Sequence, residues 1–236
     1  MLVNLQYRST ETELMDDPDL NKKDLSMALS DINRVNTLLG GNAITIRSAL
    51  KMISDKKIKE NVTIADLGCG DGTMLRTLAV VCRQQKINAD FVGIDLNVKT
   101  IAYAKEMSVA YPEISFITKD LLTLDPKEFS CDIIISTLTL HHISDHDIPK
   151  IIKKSLQLAK IGVIINDLHR NLIAYYLFKL FSLFFIKGFV AKNDGLVSIK
   201  RGFKKHELIR YANQIGISNY TIDWKWAFRY RWLIYS

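Results

Sequence analysis

Asp66, Gly68, Gly70, Gly72 and Asp95 carry the most specific chemistry in this 236-residue chain. They stand in the run I-A-D-L-G-C-G-D-G-T, followed by a helical stretch and then F-V-G-I-D-L. The apolar run Val62 to Leu67 reads as a strand that ends in a glycine-rich turn. Thr73 to about Gln85 reads as a helix, and Phe91 to Ile94 as a second strand ending on Asp95. Glycines lack a Cβ, so their backbone can approach a ligand closely. An acid about twenty residues beyond such a turn can accept hydrogen bonds from two ribose hydroxyls. The unit is therefore suited to a nucleoside.

A pyrophosphate-bearing dinucleotide calls for G-x-G-x-x-G, with the phosphates at a helix N-terminus. The order here is D-x-G-x-G-x-G, and Asp66 and Asp71 would repel a pyrophosphate. Asp66 is better placed to meet an ammonium or a sulfonium. That favours S-adenosylmethionine (SAM), which has a sulfonium, an ammonium and a ribose but no phosphate. At these residues the sequence resembles the class I SAM-dependent methyltransferases. D-L-G-C-G-D-G is similar to their first motif, and Asp95 to their ribose-binding acid. The resemblance covers about Asn61 to Ser236. It implies an α/β, Rossmann-like, seven-stranded sheet with helices on both faces and a terminal antiparallel hairpin. It also implies that Asp120, after a short strand Ile114 to Thr118, meets the adenine amino group. The cofactor-contacting set implied is Asp66, Gly68, Cys69, Gly70, Asp95, Leu96, Asp120, Leu121, Ser136 and Thr137. The segment Ser136 to His142, S-T-L-T-L-H-H, is similar to the "LHH" segment of ubiquinone/menaquinone-type and small-molecule methyltransferases.

In an open parallel sheet, ligands bind beyond the carboxyl ends of the strands. The buried strand Cys131 to Ile135 leads into His141 and His142, and a fifth strand, Val163 to Ile165, leads into Asn166 to Arg170. Imidazoles titrate near neutrality and can take a proton from an acceptor hydroxyl. His142 or His169, with His141 third, is the expected base. Arg170 is expected to hold an acceptor carboxylate or phenolate. The local alternative has Asp167 capping the next helix and Arg170 in a surface ion pair. No metal is expected, because no carboxylate or further histidine lies at helical spacing on a face shared with His141 and His142. Asp145, His146 and Asp147 read as the start of the next helix. Cys69, Cys82 and Cys131 are sparse and lack C-x-x-C spacing, so neither a disulfide frame nor a zinc site is expected.

Leu25, Ala28, Leu29, Ile32, Val35 and Leu39 recur at helical spacing, and Gly40-Gly41 ends that helix. A second helix is expected from about Ala43 to Ser54. Residues 1–58 are thus read as a helical lid or cap, and 59–236 as the methyltransferase domain. Pro18 breaks regularity near the start, and Tyr7, Arg8, Glu13 and Asp16 are the lid residues of interest. Within the domain, 170–202 reads as an insertion. Asn171 to Val190 is aromatic and apolar nearly all round, interrupted by Lys179 and Ser182, and too short for a membrane span. It is open to three roles: core helix, wall of an acceptor pocket, or peripheral membrane contact. The pocket wall is favoured. Asp194 to Arg201 reads as a polar connection, Phe203 to about Gln214 as a helix, and Ser218 to Trp224 with Phe228 to Tyr235 as a closing hairpin.

The net charge is +7, with basic residues dispersed along the chain. That favours solubility over nucleic-acid binding, as does S-T-L-T where enzymes acting on nucleic-acid amines carry N/D-P-P-Y/F. The first residues lack a secretory signal pattern, and a cytoplasmic setting is expected. The function expected is methyl transfer to a small hydrophobic acceptor: O-methylation of a hydroxyl or carboxyl on a phenolic, polyketide-like or lipid-like compound. C- or N-methylation of a quinone-like molecule and non-catalytic SAM binding are the alternatives. A nicotinamide oxidoreductase is the outside rival.

Overall fold

A computed structural model describes residues 3–17, 19–57 and 61–236. Pro18 and the 58/59 boundary lie outside the described residues. Seven strands form one sheet: β1 (Val62–Leu67), β2 (Ala89–Asp95), β3 (Ile114–Thr118), β4 (Cys131–Thr137), β5 (Ala159–Leu168), β6 (Tyr220–Lys225) and β7 (Arg229–Tyr235). Their order is β3-β2-β1-β4-β5-β7-β6. The first five run parallel, and β7 is antiparallel to both β5 and β6. The chain winds outward from β1 through β2 to β3, then returns to place β4 on the other side. That reversal opens a crevice beyond the carboxyl ends of β1 and β4.

Strands covered by helices on both faces need apolar residues at every position. In β4, Ile133 and Ile135 join one core cluster, with Leu75, Leu78 and Met52, while Ile134 joins the other, with Ile148, Tyr211 and Trp232. Successive strand residues point to opposite faces, so one continuous run feeds two cores. The covering helices are α1 (Lys22–Leu38), α2 (Gly41–Asp55), α3 (Thr73–Gln84), α4 (Val98–Met107), α5 (Ile148–Leu158), α6 (Leu172–Phe185), α7 (Phe189–Arg201) and α8 (Lys205–Gln214). Asn97 caps α4, accepting from Lys99 N at 2.9 Å and Thr100 N at 3.2 Å.

Two expectations change. Asp194 to Arg201 is the second half of α7, not a connection. Its polar residues misled because Asp194 is buried and accepts the backbone N–H groups of Leu14 (2.8 Å) and Met15 (2.9 Å). Gly195 faces Phe178 so closely that a Cβ there would lie 2.1 Å from the ring, and this packs α7 on α6. The fifth strand is longer than its apolar stretch, because its polar tip, Asn166 to Leu168, pairs with Arg231 to Arg229 of β7.

The N-terminal elements lie over the crevice. Residues 3–17 form an irregular strap, α1 crosses the glycine turn, and α2 packs on the ends of β4 and β5. Asn33 Nδ2 donates to Asp71 Oδ2 (2.8 Å) and Thr73 Oγ1 (3.1 Å). Asn166 Nδ2 donates to the Gly41 carbonyl (2.9 Å) and Thr45 Oγ1 (3.0 Å). Among the described residues, no helix is long and apolar enough to cross a membrane.

Candidate active site

The glycine turn begins where β1 ends. Gly68, Gly70 and Gly72 all have positive φ, at +66°, +54° and +76°. Side chains pay about 1–2 kcal/mol in that region, so glycine is the residue that fits. A Cβ on Gly68 would lie 2.3 Å from Thr139, whereas one on Gly70 would meet nothing within 4 Å. The first glycine thus admits the β4 loop, and the second faces open space that a ligand can fill. Replacing Gly68 by alanine is expected to push Thr139 outward and abolish detectable SAM binding in calorimetry, while the protein still unfolds cooperatively.

Asp95 closes the turn. Its Oδ2 accepts from Gly70 N at 3.1 Å and its Oδ1 from Asn97 N at 2.9 Å. Carboxylate oxygens have further lone pairs, so the ribose hydroxyls can still be accepted. Burial nevertheless pushes the Asp95 carboxyl up, against the pull of those N–H groups. Asp66 is 2% exposed, and burial together with the Asp95 charge pushes it well above the usual carboxylate range. Two crowded carboxyls with open coordination fit a cationic ligand. Asp120 accepts from Leu122 N at 2.9 Å at the head of a short 3-10 turn. The Cys69 thiol is pushed far up by burial and the neighbouring acids, so it serves as packing.

Asp66, Gly68, Cys69, Gly70, Asp95, Leu96, Asp120, Leu121, Ser136 and Thr137 all line one cavity of about 1210 Å³. Thr137 spends its hydroxyl on Thr45 at 2.8 Å, so it contributes shape rather than a free polar group. The same cavity continues between the strap, α1, α6 and the β6–β7 turn. There Phe178, Phe181, Phe184, Trp226 and Phe228 make an apolar chamber.

His141, His142 and His169 line that chamber, and Arg170 does not. His141 is buried, with Nδ1 2.7 Å from Asp167 Oδ1 and Nε2 3.4 Å from Glu13 Oε1. Burial alone would lower its pKa, but the two carboxylates hold it up at about 9. A proton held that firmly disfavours His141 as the base. Asp167, expected as a helix cap, orients His141 instead, and Asn171 caps α6 by accepting from Ile173 N at 2.8 Å. His142 turns its Nδ1 to Asp16 Oδ2 at 3.2 Å. His169 packs against Tyr230 with ring centroids 4.9 Å apart, and its buried Nδ1 has no partner. Burial and the charges of Arg170 and Lys204 push its pKa down, so it is neutral at physiological pH and able to accept a proton.

Arg170 is a correction. Its guanidinium is fully buried in an ion pair with Glu207, Nη2 to Oε1 at 2.6 Å and Nη1 to Oε2 at 3.1 Å. It also donates to the carbonyls of Leu5 (3.1 Å), Gln6 (3.3 Å) and Gly202 (2.5 Å). It pins the strap and α8 and has nothing left for an acceptor. Arg170→Gln is expected to lower stability by about 3–5 kcal/mol, because Glu207 is left buried without its partner. Chemical denaturation reads that loss, and SAM affinity measured on the remaining folded protein should stay unchanged.

The guanidinium that does face the chamber is Arg229, at the start of β7. It is 3% exposed, and burial pushes its pKa down to about 10, so it keeps its charge at neutral pH. Nη2 donates to Asn36 Oδ1 at 2.6 Å, while Nε and Nη1 have no partner. In the sequence, Arg229 sits inside the expected hairpin strand Phe228 to Tyr235, and no motif marks it as a site residue; the structure pairs it with Leu168. Of the lid residues, Glu13 and Asp16 reach the chamber. Arg8 instead binds backbone carbonyls, those of Arg201 (2.8 Å), His141 (2.8 Å) and Ile143 (3.0 Å), and Tyr7 is exposed.

Residues 64–162 match the family described as "Methyltransferase domain". A candidate methyltransferase of Invertebrate iridescent virus 6, protein 235L, is 27% identical over 177 residues, which are 72% of this chain and 60% of that protein. The chain therefore spans about three fifths of the length of that relative. The carboxy-S-adenosyl-L-methionine synthase of Sulfurimonas denitrificans is 26% identical over 185 residues, 73% of this chain and 77% of that protein. Among solved structures, the plantazolicin methyltransferase BpumL in complex with a triazolic desmethylPZN analog and SAH has a TM-score of 0.68 at 17% identity, covering 94% of this chain and 92% of that one. That likeness is one of fold. Residues 64–162 thus match a methyltransferase domain, and the acid-flanked glycine turn near its start is suited to a cationic nucleoside.

Proposed function

We propose that this protein methylates an oxygen of a small, hydrophobic acceptor carrying a hydroxyl or carboxyl group. The observation that carries the reading is the chamber itself. It is walled by Phe178, Phe181 and Phe184 yet holds a neutral imidazole, His169, and a buried guanidinium with unpartnered nitrogens, Arg229. A phenolic, polyketide-like or lipid-like body suits the wall, and an ionised oxygen suits Arg229.

SAM supplies an already activated methyl group. What remains for the protein is alignment and, for a hydroxyl acceptor, removal of a proton. Asp95, Asp66 and the glycine turn hold the nucleoside end. The His169 imidazole takes the hydroxyl proton, and Arg229 steadies the resulting oxyanion or a carboxylate. The strap and α1, read as a lid, exclude water.

Exchanging Phe181 and Phe184 for serine is expected to raise the acceptor KM at least tenfold while the SAM KM stays within error. A labelled-methyl assay over phenols, long-chain fatty acids and quinols gives the acceptor and the comparison. Equal effects on both KM values would remove the wall from the reading. The likeness to a carboxy-SAM synthase supports a second use of the same cleft, chemistry on SAM itself. Label retained on the nucleoside rather than passed to an acceptor would favour it.

The outer face of α6 supports a peripheral membrane contact. Ile173, Leu180, Leu183 and Phe184 are all exposed there, with Lys179 and Lys187 beside them. Leu180 and Phe184 also line the chamber, so a lipid-like acceptor would have a short path inward.

A further inference from the structure

We propose that Glu13, His141 and His142 hold a divalent transition-metal ion of the zinc or cobalt class at the wall of the acceptor chamber. The carboxylate that was absent near the histidine pair in the sequence arrives from the strap. Ligand atoms of the three residues lie within 4.8 Å of one another. The Glu13 carboxylate stands 3.4 Å from His141 Nε2 and 3.7 Å from His142 Nε2. Atoms bound at about 2.0–2.1 Å to a tetrahedral ion are roughly 3.4 Å apart, so the spacing already approaches a coordination shell.

The orientation of the rings is the stronger argument. Each Nδ1 is turned to a carboxylate, that of His141 to Asp167 at 2.7 Å and that of His142 to Asp16 at 3.2 Å. Each Nε2 is thereby aimed at Glu13. Metal-bound histidines carry such a carboxylate on their other nitrogen, which fixes the tautomer and leaves a lone pair for the ion. His141 Nε2 is buried, and no hydrogen bond satisfies it. The support around the cluster is rigid. Ser198 Oγ donates to Glu13 Oε1 at 2.8 Å, and Arg201 donates to the carbonyls of His141 (3.0 Å) and His142 (2.8 Å). Arg8 and Arg201, the neighbouring cations, thus face the backbone of the histidine segment.

Two imidazoles and one carboxylate with remaining positions open is a ligand set of catalytic zinc sites and of non-haem iron. Glu13 and His142 line the chamber, so an open position there would face the acceptor oxygen. Binding of the ion does not depend on the methyl-transfer reading, and the test reads it without turnover.

The test adds Co²⁺ or Zn²⁺ to the chelator-treated full chain, with SAM titrated in parallel. One equivalent of Co²⁺ should give a visible ligand-field spectrum that Zn²⁺ abolishes, and calorimetry should give one site. Glu13→Gln and His142→Gln should each lose the spectrum. Asp167→Asn should weaken binding about 10–100-fold, as loss of an outer-shell partner does. His206→Gln, on the exposed start of α8, should bind as the parent does. Should Glu13→Gln fail to fold, the partly exposed His142→Gln decides. No stoichiometric binding by a chain that still binds SAM overturns the proposal, as does a site undiminished in the folded ligand variants. A chain that binds the ion but not SAM would sink the methyl-transfer reading and leave this one standing.

Discussion

Asp66→Asn should raise the melting temperature of the ligand-free protein at neutral pH and, at the same time, weaken SAM binding by about 30–100-fold, or about 2–3 kcal/mol. The two effects have one cause. Asp66 is buried beside Asp95, and both carboxyls lie above their ordinary value of 3.8 in the folded chain. The folded state therefore holds protons that the unfolded chain releases. Stability from these groups is complete below 3.8 and is lost as pH rises through their elevated folded values. An amide in place of Asp66 removes that loss, but it also removes the charge that attracts a cationic ligand. SAM affinity in the parent should grow as pH rises through the same range, and in the variant that slope should shrink. Thermal melts with and without SAM from about pH 5 to pH 8, with calorimetry at each, read both effects. An unchanged Kd, or a ligand-free variant that melts lower, would remove Asp66 from the cation-binding role.

His169→Gln should lower kcat on a hydroxyl acceptor by about 10²–10⁴-fold, the contribution of a positioned base, with SAM affinity unchanged. Burial and the Arg170 and Lys204 charges hold His169 below its ordinary 6.5, so the parent should keep its rate at neutral pH. The rate should fall only when acid protonates the imidazole, below that ordinary value. In the variant this acid limb should be absent. A carboxylate acceptor has no proton to give up, so its rate should change little. Loss of equal size on both acceptor types would mean that His169 shapes the chamber without moving a proton. A hydroxyl acceptor left at the parent rate would return the base to His142.

The nucleoside half of the site was legible because its geometry is local. Asp66, the glycines and Asp95 belong to one strand–turn–helix–strand unit, and spacing alone brings them together. The acceptor half is long-range. Glu13 meets His141 across most of the chain, and nothing in S-T-L-T-L-H-H signals which carboxylate will arrive. Asp167 and Arg170 stand on either side of His169 in sequence, yet one is buried behind His141 and the other lies in a buried pair with Glu207. Arg229 looked like an ordinary strand residue until β7 was seen to run antiparallel beside β5. Asp194 was mistaken for a loop residue because polarity signals solvent unless the partners are known, and its partners lie in the strap. The apolar run from Asn171 onward showed its character but not its break, which Asp31 sets by accepting the N–H groups of Lys187 (3.0 Å) and Gly188 (2.7 Å).

On the methyl-transfer reading, every cycle must discharge a spent nucleoside past the helix that roofs the glycine turn. Among the described residues, the polar fastening between α1 and the glycine turn is a single carboxamide, Asn33, shared between Asp71 and Thr73. Such a latch is worth about 1–3 kcal/mol, so thermal motion would release it many times for each chemical event. The roof is rooted more firmly elsewhere, through Asp31 at the break between α6 and α7 and Asn36 on Arg229. Exhausted cofactor therefore has its cheapest way out on the Asp71 side, leaving the greasy compartment shut while the reagent is renewed.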